Sequence, residues 1–169
     1  AKIQDAFMMM GKVLKEGTAD LVLTGGLVSN VIYLSKNVNI GKASEDFIYK
    51  KNLEGCIDKA REVMEKYGDK ILLPEDMAYV NDSGRHEVDI ENSPPYELLV
   101  DIGTKTIKRY TEIIASAGTI FANGPMGVFE KELSAAGTET VWKAIAESKG
   151  FSVVGGGDSI SAVKKFGVE

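Results

Sequence analysis

Thr119-Ile120-Phe121-Ala122, followed by Asn123-Gly124-Pro125-Met126-Gly127-Val128-Phe129-Glu130, decides how this chain is read. The apolar run predicts a buried strand, and a helical pattern starts near Lys131. Two glycines and a proline between strand and helix let the backbone approach a ligand closely. Asn123 and Glu130 put polar groups at the two ends of that loop. The same order recurs downstream. Phe151-Ser152-Val153-Val154 runs into Gly155-Gly156-Gly157-Asp158-Ser159, again strand, glycine loop, helix. Two such junctions suggest a phosphate- or nucleotide-binding rim.

On either side of these junctions, short all-apolar runs alternate with amphipathic helical patterns. Ile3, Phe7, Met10 and Leu14 recur at helical spacing over residues 4–16. The Met8–Met10 run reads as core packing. Leu21-Val22-Leu23, Ile71-Leu72-Leu73 and Leu98-Leu99-Val100 read as further buried strands. Residues 44–67 hold one long helix or two short ones, with Gly55 weakening the join. Ile107, Tyr110, Ile113 and Ala117 mark a helix after Asp101-Ile102-Gly103-Thr104. Val141, Ala144 and Ile145 mark the inner face of another, with Trp142 covering its edge. Ile160, Val163 and Phe166 mark the last. Met77–Val80 and Glu87–Ile90 flank Asn81-Asp82-Ser83-Gly84, a turn signal that predicts a hairpin. His86, just past that turn, reads as a solvated hairpin residue. Fully apolar strands alternating with helices predict an α/β fold: a doubly wound, Rossmann-like parallel sheet, helices on both faces, and one added β-hairpin. Ligands of such sheets bind beyond the carboxyl ends of the strands. The loops expected on that rim are Gly25-Gly26, Pro74-Glu75-Asp76, Asp101–Gly103, Asn123–Glu130 and Gly155–Ser159.

The chain has 169 residues, close to one domain by the prior of roughly 100–200 residues per domain. Its net charge of -5, with both signs mixed along the sequence, argues against nonspecific nucleic-acid binding, which needs a basic face. No run approaches the roughly 18 apolar residues of a membrane span. The N-terminal residues do not resemble a signal peptide. A lone Cys56 excludes an internal disulfide and fits a reducing, cytoplasmic setting. It is expected to be a buried, inert thiol.

Each candidate residue carries two readings. Gly155, Gly156 and Gly157 either present backbone N–H groups to phosphate oxygens or make a tight turn that brings a helix close to the sheet. Asp158 either holds a hydrated magnesium or stabilises a helix start. Ser159 caps that helix or touches a nucleotide. Glu130 accepts hydrogen bonds from ribose hydroxyls or supplies favourable charge in a first turn. Asn123 contacts a nucleotide or satisfies the loop backbone. Lys2 is a phosphate ligand or a solvated terminal lysine. Neither G-x-x-x-x-G-K-[ST] nor a strand-following G-x-G-x-x-G is present, which disfavours an NAD-dependent oxidoreductase.

Asn123 through Glu130, with Val154-Gly155-Gly156-Gly157-Asp158-Ser159 downstream, resembles phosphoglycerate kinase. Ala1-Lys2 with Asp5, Thr24-Gly25-Gly26-Leu27, Leu73-Pro74-Glu75-Asp76 and Asp101-Ile102-Gly103-Thr104 extend the likeness over nearly all of residues 1–169. Ala122 before Asn123, in place of the tryptophan common elsewhere, is similar to archaeal members. The resemblance is to the C-terminal, nucleotide-binding domain of a two-domain enzyme. It implies binding of ATP or ADP with Mg2+. Gly25 and Gly26 would line the adenine pocket. Asn123 and Pro125 would lie along the nucleotide, and Glu130 would bind the ribose. Gly155, Gly156, Gly157, Asp158 and Ser159 would face the phosphates, with Asp158 reaching the metal. Lys2, Gly156 and Gly157 would act on the transferred phosphoryl group.

The family departs from this chain in three places. It usually shows glycines before the Ala-Lys pair, often a lysine where Ala6 stands, and Ser-Thr-Gly-Gly-Gly beyond the last helix. The resemblance therefore implies a fragment or excised domain of a glycolytic and gluconeogenic kinase. Its parent, a monomer or a homo-oligomer, would bind 3-phosphoglycerate through an N-terminal domain absent from this chain. The fragment alone is expected to bind nucleotide without catalysis. The alternative is a non-catalytic ADP/ATP-binding module or partner subunit.

Overall fold

The computed structural model describes residues 3–123, 126–148, 151–155 and 165–166, the side chains of 121–123 and 151–155 excepted. The helix expected around Ile160 and Val163 lies outside the described residues, Phe166 apart. The elements follow the predicted alternation. They run α1 (Ile3–Lys15), β1 (Val22–Leu23), α2 (Gly26–Ser35), α3 (Lys42–Lys50), α4 (Gly55–Tyr67) and β2 (Ile71–Leu72). Then come β3 (Asp76–Asn81), β4 (Gly84–Asp89), β5 (Asp101–Ile102), α5 (Thr104–Ala115), β6 (Thr119–Asn123), α6 (Ala136–Glu147) and β7 (Phe151–Gly155).

Two strand pairs are parallel: β1 with β2, Val22 opposite Ile71, and β6 with β7, Thr119 opposite Phe151. Parallel neighbours require crossover connections, and helices supply them here. The predicted hairpin is β3–β4, with Asn81 opposite Gly84 across its turn. Gly84 has φ +110, a conformation that favours glycine, and Asn81 Oδ1 accepts the Ser83 N–H.

The strand expected at Leu98–Val100 is corrected to Asp101–Ile102. It runs antiparallel to β3, with Met77 opposite Ile102 and Ala78 opposite Asp101. The apolar run is still satisfied as a buried segment. Leu99 is buried and its N–H donates to Ser44 Oγ, while the Val100 N–H donates to Ala78 O. An apolar triplet reports burial and not strand direction, so the hairpin has gained a third strand.

Residues 44–67 form two helices, broken not at Gly55 but at Asn52, which has φ +58; Gly55 opens α4. The pattern expected from Lys131 becomes a 3-10 turn, Glu132–Ser134, before α6. One hydrophobic core joins Phe7, Met10 and Leu14 of α1 to Val31 and Ile32 of α2, Tyr110 of α5 and Val141 of α6. Two edge assignments change. Trp142 is 2% exposed and belongs to the core, whereas Met8 is 63% exposed and of its run Met10 is the fully buried member. Cys56 is buried, as expected. His86 stacks on Tyr79 at 5.1 Å, and its Nε2 lies 2.7 Å from Ser83 Oγ, which makes it part of the hairpin tip.

Candidate functional site

The two glycine junctions leave adjacent strands. Parallel register places Asn123 opposite Gly155, so the carboxyl ends of β6 and β7 lie side by side. A third junction meets them. Gly25, in extended conformation, precedes α2, whose first residue Gly26 has φ +60. A Cβ on Gly25 would lie 2.7 Å from Met126 Sδ and 3.2 Å from the Met126 Cα. The exit of β1 and the Asn123–Glu130 loop are therefore in contact. Sequence reasoning misses Met126 as a site residue, because a methionine between glycines carries no ligand signal of its own.

The junction at Gly25 is held from below by polar groups. The Thr24 N–H and hydroxyl both donate to Leu72 O, and the Tyr110 hydroxyl donates to Thr24 O at 2.7 Å and to Leu72 O at 3.1 Å. The Tyr33 hydroxyl donates to Pro74 O. Burial pushes the Tyr33 phenol up to about 12, helped by the charges of Glu91 and Glu75, and burial raises Tyr110 as well. Both rings are neutral donors that fix the strand ends. Among the described residues, no side chain accepts a hydrogen bond from the first N–H groups of α2.

The 126–134 segment is pinned around Glu130. The Met126 N–H donates to Thr138 Oγ1, the Val128 N–H to Val100 O, and the Ser134 hydroxyl to Val128 O. A Cβ on Gly127 would lie 2.2 Å from Val100 O, so only glycine passes there. Phe129 is buried, and its carbonyl accepts Lys165 Nζ at 2.6 Å. Glu130 is exposed, and among the described residues its carboxylate has no hydrogen-bond partner. A carboxylate set on a fixed backbone and left unpaired is available to hydroxyl donors.

Two expected rim loops are committed elsewhere. Asp76 Oδ1 accepts the Thr106 N–H and hydroxyl, and Oδ2 accepts the Lys105 N–H, which caps α5. Asp101 accepts the Gly137 N–H at 2.9 Å, capping α6, together with Arg85. Burial raises the Asp101 carboxyl against the pull of Gly137, Arg85 and the Ile102 N–H. Of the remaining predicted residues, Lys2, Pro125, Gly156, Gly157, Asp158 and Ser159 lie outside the described residues. Asn123 and Gly155 are described by their backbone alone.

A family model described as phosphoglycerate kinase matches residues 1–169, the whole chain. The chain belongs to the phosphoglycerate kinase family. Among its relatives, a phosphoglycerate kinase of Methanothermus fervidus is 43% identical over 167 residues, covering 99% of this chain and 40% of the relative. One from Pyrococcus abyssi is 42% identical, covering 100% of this chain and 42% of the relative. The crystal structure of phosphoglycerate kinase from Pyrococcus horikoshii OT3 superposes with a TM-score of 0.92 at 42% identity, over 98% of this chain and 42% of that one. The chain thus spans about 40% of the length of the family members it matches. The expected family, its archaeal leaning and the α/β fold hold.

Proposed function

We propose that this chain is the nucleotide-binding part of a phosphoglycerate kinase, which moves a phosphoryl group between ATP and the carboxylate of 3-phosphoglycerate. One observation carries the reading. Asn123 and Gly155 are register partners at the carboxyl ends of parallel strands, and Met126 lies against Gly25 at the start of α2. Adenine would lie against Gly25 and Gly26, the ribose would meet Glu130, and Asn123 and Pro125 would flank the nucleotide. Its phosphates would face the Gly155–Ser159 loop.

Among the described residues, no cluster of three or more His, Cys, Asp or Glu side chains is placed to hold a metal. Magnesium would be held by Asp158, outside the described residues, plus phosphate oxygens, a ligand set that suits this ion. Magnesium supplies charge neutralisation between the phosphates. Lys2 and the N–H groups of Gly156 and Gly157 would stabilise the phosphoryl group in flight. The acceptor, 3-phosphoglycerate, would bind in the part of the family's length that this chain does not span.

Calorimetric titration with ADP tests the site. Glu130→Ala is expected to weaken binding by about 1–3 kcal/mol, the scale of a charge-assisted hydrogen bond. Asp158→Ala is expected to flatten the difference between titrations with and without magnesium. Unchanged affinity in the first variant removes Glu130 from the site, and a retained magnesium effect in the second moves the metal elsewhere. The 169 residues alone are expected to bind nucleotide without turnover in a coupled assay, because an oriented acceptor contributes roughly 7–11 kcal/mol to lowering the barrier.

A further inference from the structure

Arg85 of β4 sits where four parts of the chain meet. Its Nη1 donates to Asp101 Oδ2 of β5 and to Leu133 O of the 3-10 turn, both at 2.8 Å. Its Nη2 donates to Ile102 O and to Glu87 Oε2, both at 3.0 Å, and Nε reaches the same Glu87 oxygen at 3.2 Å. The Arg85 side chain is 18% exposed and that of Asp101 is fully buried. Asp101 in turn holds the Gly137 N–H at the start of α6. One planar guanidinium thus satisfies two carboxylates and two carbonyls. Lysine, with a point charge and three donors, does not match that fork.

The Leu133 carbonyl gives this cluster a reach beyond stability. Residues 129–133 form a short arch with Glu130 exposed on it. One foot is fixed where Phe129 O accepts Lys165 Nζ. The other is fixed where Leu133 O accepts Arg85, with Ser134 Oγ bonded back to Val128 O between them. Nothing among the described residues holds the Glu130 carboxylate itself, so the arch alone sets the backbone from which it projects.

We propose that Arg85 is a positioning residue for nucleotide binding: by bridging Asp101 to the Leu133 carbonyl, it holds the arch that presents Glu130 to the ribose hydroxyls. The proposal rests on the reading of Glu130 as the ribose ligand. It assigns a binding role to a hairpin residue whose own bonds go to β5 and the 3-10 turn.

The test is calorimetric titration of the protein with ADP and with 2′,3′-dideoxy-ADP. The proteins compared are the wild type, Arg85→Lys, Glu130→Ala and the double variant. Arg85→Lys keeps a positive charge beside Asp101 and removes the fork. The wild type is expected to prefer ADP by roughly tenfold or more, the range for hydrogen bonds to a charged group. Glu130→Ala should bring that ratio near one, and Arg85→Lys should bring it most of the way. The double variant should bind ADP no more weakly than Glu130→Ala alone, because residues acting through one contact are not additive. A purely structural Arg85 would leave the ratio untouched and add its loss in full. Ser134→Ala, which loosens the same arch without disturbing the buried charge, should move the ratio in the same direction. A wild-type preference kept intact in both Arg85→Lys and Ser134→Ala overturns this proposal alone. Equal wild-type affinity for the two nucleotides overturns the ribose reading and this proposal with it.

Discussion

The helix starts at Gly25, Gly103 and Gly137 are finished in two different ways. At α5 a Cβ on Gly103 would lie 2.3 Å from the Asp76 carboxylate, and at α6 a Cβ on Gly137 would lie 2.3 Å from Asp101 Oδ1. Each of these glycines makes room for an internal carboxylate that satisfies the helix N–H groups. At α2 the glycine makes room for Met126, and no side chain among the described residues caps the helix. The same residue type therefore serves two ends: closing a junction with the protein's own anion, or leaving it without a described cap on the rim proposed to bind nucleotide. The positive end of a helix dipole favours an anion in either case. What differs is whether the chain supplies that anion.

The largest expected effect comes from breaking a closed junction. Asp101→Ala removes the α6 cap and leaves the Arg85 guanidinium largely buried without its main partner. It should cost about 3–5 kcal/mol of stability in denaturant unfolding, the range for breaking a buried ion pair. A loss near that of a surface substitution would mean that water replaces Asp101 freely.

Overpacking distinguishes the open junction from the closed ones. Gly103→Ala and Gly137→Ala drive a methyl into a buried carboxylate and should each cost about 1–3 kcal/mol. Gly25→Ala meets first the flexible end of Met126, and should cost under about 1 kcal/mol of stability. Its ADP affinity should fall by more than its stability does. Thermal melts and titrations on the same samples separate the two quantities. Equal stability losses at all three sites would erase the distinction.

The smallest effect at neutral pH is in pH dependence, since it develops only in alkali. The open junction is anchored by neutral phenols, the closed ones by carboxylates. Tyr33 is held at about 12 in the folded protein, above its ordinary value of 10.0. A raised folded value gives stability that is fully present below about pH 10 and is lost as pH rises toward about 12. The unfolding free energy should fall there by at most roughly 1.4 kcal/mol per pH unit for each such tyrosine. Tyr33→Phe should flatten that slope. A slope that survives in Tyr33→Phe and Tyr110→Phe together would assign the titration to other groups.

The alternation of apolar runs and helical patterns was legible in the sequence because burial on both faces leaves a local signature. The direction of Asp101–Ile102 was not, since it is set by pairing with β3, on the far side of the hairpin. The close approach of Gly25 to the loop holding Met126 was legible because glycines directly after apolar strands mark a close backbone approach. The commitment of Asp76 and Asp101 to helix starts was hidden, because Asp76 reaches residues 29 and 30 positions downstream and Asp101 one 36 positions downstream. Arg85 was silent for the same reason. An arginine on a hairpin reads as solvated until its distant acceptors, 16 to 48 residues away, are in place.

Whether the junction at α2 is open to a nucleotide while those at α5 and α6 are closed can be read from hydrogen exchange of the protein, with and without saturating Mg·ADP. New protection is expected at residues 24–30, 123–130 and 155–159. Little change is expected at 103–107 and 136–139, where Asp76 and Asp101 already fill the helix starts. Protection concentrated at 103–107 or 136–139, with residues 24–30 unchanged, would contradict the division between open and closed junctions.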